Sequence, residues 1–146
     1  MMVIDRPTFV SVVSSSNEFE IKSSEMALQN AGSAKLKDVA KMIIADHQKA
    51  DEKLKNILDK KGAPLSSPIV LSPKHQKMMD QLEGAKGKDF DTLYVDIQAQ
   101  AHAEAVALFR TYAGSGDDQT IVGFARETLP NLETHLSHVK SLQGEP

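Results

Sequence analysis

Four stretches of helical periodicity each carry one residue able to bind a metal or exchange a proton on a face that otherwise points inward. The stripe Leu36, Ala40, Ile43, His47, Ala50, Leu54, Ile57 advances in steps of four and three, which is one face of a helix, and His47 is its one ionisable member. Ile121, Ala125, Thr128, Leu132, His135, Val139, Leu142 repeats that spacing and holds His135. Tyr94, Gln98, His102, Ala105, Phe109 can turn His102 inward, and Phe9, Val13, Ser16, Glu20, Ser24, Ala27, Ala31 sets Glu20 among small residues. Three imidazoles and a carboxylate suit zinc, iron, manganese or copper. A buried carboxylate needs a cation or hydrogen-bond donors, because burying it alone is costly. The same four groups could also satisfy one another as a polar network without a metal.

Other polar residues fit ordinary roles better. Asp51 follows His47 by four residues, a spacing that can place two ligands on one metal, but in the Lys-rich "HQKAD" it reads as surface charge. His138 and Glu127 read as exposed, and Tyr94 as a packed ring with a wet hydroxyl. His75 falls in a connection and is given no role. The dispersed methionines read as core filling rather than a copper-binding cluster.

The elements that must position these residues are helices. Aromatic content is 5% and β-branched alternation is scarce, so strands are not expected. Four long helices are expected over residues 7–30, 34–61, 90–112 and 118–142, with a short one over 74–82. Pro7 suits a first turn, Ser33 a helix N-cap and Gly62 a helix end. Pro130 kinks or splits the last helix, and "GEP" forms a frayed tail. Residues 62–89 form a Pro-rich connection far longer than the roughly 2–8 residues that join neighbouring antiparallel helices. Such a segment can travel the length of a 27-residue helix, roughly 40 Å. The expected fold is therefore all-α, a ferritin-like four-helix bundle with one long crossover between its second and third long helices. His47, His102 and Glu20 can share one level, while His135 is offset by about 5 residues, or roughly 7 Å.

Composition narrows the function. The 146 residues suit one domain, 1–146, with one core. With 17 basic and 20 acidic residues scattered together, no nucleic acid or anionic membrane is expected as partner. No apolar run approaches the roughly 20 residues of a membrane span, so no membrane insertion is expected. The absence of cysteine removes disulfides, thiolate nucleophiles and cysteine-held metals. No G-x-S-x-G, H-E-x-x-H or P-loop occurs, so an enzyme is not the expected reading. The start "MMVIDRPTFVSVVSSS" lacks the basic n-region and long apolar core of a signal peptide. The chain reads either as cytoplasmic or as an exported protein with its signal removed.

The segments "FEIKSSEMAL", "VAKMIIADHQKADEKL", "FDTLYVDIQAQAHAEAVALF" and "FARETLPNLETHL" follow one another in an order that resembles a bacterial ferritin-like family. That family is a "domain of unknown function" whose members are labelled outer membrane or predicted secreted proteins. The resemblance implies a ferritin-like bundle and a periplasmic or secreted location. It places Glu20, His47, Tyr94, His102 and His135 at the family's polar motif positions. A di-iron bundle would carry Glu-x-x-His on two helices. Here Ile44 precedes His47 by three residues and Leu132 precedes His135 by three. A single transition-metal ion, zinc, copper or iron, held by Glu20, His47, His102 and His135 is the expected function, with a metal-free structural or interaction protein of the envelope as the alternative.

Overall fold

The computed structural model describes residues 4–65 and 69–143. Residues 1–3, 66–68 and 144–146 are outside it, so part of the Pro-rich connection and the "GEP" tail lie outside the described residues. Five helices follow in order: α1 (Arg6–Asn30), α2 (Ala34–Lys60), α3 (Pro73–Glu83), α4 (Gly87–Ser115) and α5 (Gln119–Leu142). Among the described residues there is no strand, as the composition implies. No helix among them is long and apolar enough to cross a membrane.

Local chemistry sets the helix ends. Asp5, Ser33, Ser72 and Asp118 each accept a backbone N–H of the following first turn, so four of the five helices begin on a side-chain cap. α2 ends where Gly62 takes a positive φ of 69°, which glycine adopts without a Cβ penalty. α4 is longer than its periodicity suggests. It starts at Gly87, where Phe90 N–H donates to the Lys86 carbonyl, and runs on to Ser115, whose hydroxyl bonds back to the Thr111 carbonyl. α5 runs unbroken through Pro130. The proline is exposed, as is Arg126 one turn earlier, so the carbonyl that loses its donor can face water.

The long helices meet in a ring: α1 packs on α2 and α4, and α5 packs on α2 and α4, while α3 lies against α1 and α4. Two apolar clusters fix their directions. One gathers Phe19, Ala27, Leu36, Ala40, Phe90, Val95 and Val139. The other gathers Phe9, Val13, Leu54, Leu58, Phe109, Tyr112, Ile121 and Phe124. The first therefore joins the late part of α1, the early parts of α2 and α4 and the late part of α5. The second joins the opposite ends. It follows that α2 and α4 run in parallel and that α1 and α5 run against them. His47, His102 and His135 fall between the clusters in sequence, and Glu20 follows Phe19 at the edge of the first.

Two residues that the sequence set aside help to hold this frame. His75 is not a bystander in a connection. It lies buried in α3, stacks on the Phe19 ring with centroids 5.2 Å apart, and pairs through Nδ1 with Ser15 Oγ. Ser72 N–H also donates to Ser15 Oγ at 2.8 Å, so this polar cluster pins α3 to α1. Tyr94 has no wet hydroxyl; it is buried and its OH pairs with Ser24 Oγ at 2.7 Å.

The turn into α5 is tight. A Cβ on Gly116 would lie 2.6 Å from both the Tyr112 carbonyl and its ring, a distance real side chains do not adopt. Gly116→Ala is expected to destabilise the fold by about 1–3 kcal/mol, as overpacking does. A urea midpoint equal to wild type would refute this.

Candidate metal centre

One residue from each long helix reaches the space between the two clusters. Glu20 is 2% exposed, His47 4%, His102 1% and His135 1%. The three imidazole centroids are 5.4–5.6 Å apart. One ring nitrogen from each lies within 4.8 Å of the others. Glu20 Oε2 lies 3.3 Å from His102 Nε2 and 3.9 Å from His47 Nε2. The offset expected for His135 is closed by side-chain direction. A helical side chain leans toward its own N-terminus, so in oppositely directed helices His135 and His102 lean toward each other.

Each imidazole is oriented by an oxygen atom, which can only accept a hydrogen bond. His47 Nδ1 donates to Asn17 Oδ1 at 2.9 Å, His102 Nδ1 to the Gln98 carbonyl at 3.0 Å and His135 Nε2 to Asp46 Oδ2 at 2.7 Å. These bonds place the hydrogen on the outer nitrogen of each ring. The other nitrogens, His47 Nε2, His102 Nε2 and His135 Nδ1, are buried and have no hydrogen-bond partner among the described residues. With neutral rings each is a lone pair facing inward, the arrangement that outer hydrogen bonds impose on metal-binding histidines.

The carboxylate sits among these acceptors. The Gln98 amide lies between Glu20 and Ser23. Turned so that its groups match their neighbours, it donates to Glu20 Oε2 at 2.6 Å and accepts from Ser23 Oγ at 3.0 Å. That is one donor for a pocket of three nitrogen lone pairs and a carboxylate. Burial accordingly pushes the Glu20 carboxyl well above the usual carboxylate range. Burial, reinforced by His102 and His135, holds the His47 imidazole well below its ordinary value. Burial and His135 bring His102 down to about 4, opposed by its bond to the Gln98 carbonyl. A proton between Glu20 and His102 would satisfy one contact. A metal ion would satisfy all four groups, so the donor set fits a borderline divalent cation.

The structure brings together Glu20, His47, His102 and His135, and no carboxylate joins them from the positions three residues before His47 and His135. Leu132 is buried there, and Ile44 is half-buried. His138 and Glu127 are exposed, as expected. Asp51 departs from the surface reading: it is half-buried, and burial raises its carboxyl. The sequence reading missed Asn17, Asp46 and Gln98. Asn17 precedes Glu20 by three residues and Gln98 precedes His102 by four, so helical spacing could have flagged both. Asp46 acts on His135 from 89 residues away, and no local signal marks it.

A sequence profile described as "Domain of unknown function (DUF4142)" matches residues 2–142. No curated protein matches the chain at a significant level. The fold is similar to that of CopM in a Cu(II)-bound form, with 19% identity over 98% of each chain and a TM-score of 0.82. It is also similar to CopM in a silver-bound form, with 18% identity over 97% of this chain and 98% of that one and a TM-score of 0.77. A DUF305 protein from Streptomyces coelicolor, described as secreted, matches with 15% identity over 94% of this chain and 89% of its own, with a TM-score of 0.78. At these identities the likeness is one of fold. The match across nearly all of the sequence makes this chain a member of the DUF4142 family.

Proposed function

We propose that the chain is one ferritin-like four-helix domain, with residues 62–89 as its crossover, that holds a single transition-metal ion on Glu20, His47, His102 and His135. The observation that carries this reading is the set of three buried, unpartnered ring nitrogens beside a buried carboxylate. Copper and zinc suit three imidazoles best, with Cu2+ the tighter binder and iron the weaker one. CopM, similar in fold, has been captured with copper and with silver, which supports copper among these. The fold shared with a DUF305 protein described as secreted supports a periplasmic or extracellular location.

Titration of Cu2+ and Zn2+ into metal-free protein, followed by calorimetry, tests the reading. One ion per chain is expected for wild type. Asp46→Ala should weaken binding by about 10–100-fold through loss of the bond that orients His135, with stoichiometry unchanged. Equal affinity in wild type and Asp46→Ala would show that His135 is not a ligand.

A second reading has one observation in its favour. The Glu20 contact to His102 and the Gln98 donor can close a metal-free network around a shared proton. It describes a structural or interaction protein of the envelope. Under it, added metal leaves the thermal midpoint where it was.

A further inference from the structure

The four proposed ligands are closed off from water, so an ion needs a way in. Of the residues that orient the rings, Asn17 and Gln98 are buried, whereas the Asp46 carboxylate is 32% exposed. Asp46 therefore spans the distance from solvent to the His135 ring. A small chamber of about 10 Å³ touches His47 and His135 on its inner side and Asp46, Ala50, Thr128 and Asn131 on its outer side. Those same four outer residues also line a surface groove of about 240 Å³ between α2 and α5. Lys53 and Glu127 pair across that groove, and Lys49 stands beside them. The grooves along α1 and along α3–α4 share no residue with the chamber among the described residues. On its remaining sides the chamber is walled by the buried Asn17, Ala105, Phe109 and Leu132 and by the half-buried Ser16.

We infer that the ion reaches its site through the cleft between α2 and α5, with Asp46 as its first carboxylate contact and Thr128 and Asn131 as the constriction. This rests on the metal-binding reading above. The groove carries two lysines, Lys49 and Lys53, and two carboxylates, Glu127 and Asp46, so its charge is balanced and reversing one lysine tips it toward attracting a cation. Neither Thr128 nor Asn131 orients a proposed ligand. Filling the constriction should therefore slow arrival and departure alike and leave the equilibrium untouched.

Stopped-flow mixing of the metal-free protein with Cu2+ tests the route. The two tyrosines report uptake by quenching, as the chain has no tryptophan. Asn131→Phe and Thr128→Phe are each expected to lower the association rate by about tenfold or more, as when binding must await an opening motion, with an unchanged dissociation constant. Gln100→Phe, on the exposed face of α4, should load at the wild-type rate. Lys53→Glu should raise the association rate several-fold at low salt, and the gain should fade as salt screens it. Loading of Asn131→Phe, Thr128→Phe and Lys53→Glu at the wild-type rate would overturn the route while leaving the site intact. A fall in equilibrium affinity with no change in association rate would do the same. No uptake by wild type at equilibrium would remove the site and the route together.

Discussion

Saturation with Cu2+ is expected to raise the thermal midpoint of the protein by about 5–10 °C. An ion at 100 times its dissociation constant stabilises the native state by about 2.7 kcal/mol if it does not bind the unfolded chain. In a chain of this size each kcal/mol moves the midpoint by about 2–4 °C. His47→Ala should abolish most of the rise. That substitution removes one of the three free nitrogens and leaves Asn17 without the ring it orients. It also opens a cavity, so the metal-free variant starts from a lower midpoint. The informative quantity is therefore the metal-induced difference within each protein. An equal rise in wild type and His47→Ala would place the ion elsewhere on the chain.

Glu20→Gln should separate stability from binding, moving the two in opposite directions. Glu20 titrates higher in the folded state than in the unfolded chain, so the folded state holds a proton that the unfolded state releases. Metal-free stability from this group therefore falls as pH rises above the ordinary carboxyl value of 4.5, until the folded value is reached. Each pH unit within that window costs about 1.4 kcal/mol. The histidines have the opposite sign. His47, His75 and His102 titrate below 6.5 in the folded state, His102 at about 4, each chiefly through burial. Their stability is present above pH 6.5 and is lost as pH falls toward those lower values. Between 4.5 and 6.5 the two strongly lowered imidazoles, His47 and His102, outweigh one carboxyl, so the metal-free protein should be most stable near pH 6.5.

Glu20→Gln removes only the alkaline limb. The amide has no proton to lose, and its NH2 can donate to His102 Nε2 where the carboxylate cannot. At pH 8 the metal-free variant should melt above metal-free wild type, yet bind Cu2+ more than about tenfold more weakly, since even losses outside the ligand shell reach that size. Bound metal should flatten the alkaline limb of wild type, because the ion then compensates the carboxylate charge. Urea unfolding at several pH values, with and without Cu2+, measures both effects. A Glu20→Gln variant less stable than wild type at pH 8 without metal would mean that Glu20 is already compensated by the protein.

Much of this was legible in the stripes. His47 and His135 stand out because their faces repeat in steps of four and three and are otherwise almost wholly apolar. The helix ends at Ser33 and Gly62 follow from residue chemistry alone. Three things were not legible. The level of His135 depends on how side chains lean in oppositely directed helices. His75 lies between two prolines and a glycine in sequence, yet Ser15 and Phe19, more than fifty residues away, give it a buried place. Asp46 looks like a surface charge beside His47, and its partner across the bundle becomes visible only when α2 and α5 are packed together. Long-range pairing decided each of these, and a single sequence does not display it.

Equilibrium dialysis against Cu2+ followed by elemental analysis, on wild type and on His47→Ala/His102→Ala, tests the central claim most directly. The account predicts one copper per wild-type chain and close to none in the double variant when both are folded by circular dichroism. Equal copper in the two proteins, or none in either, would contradict it.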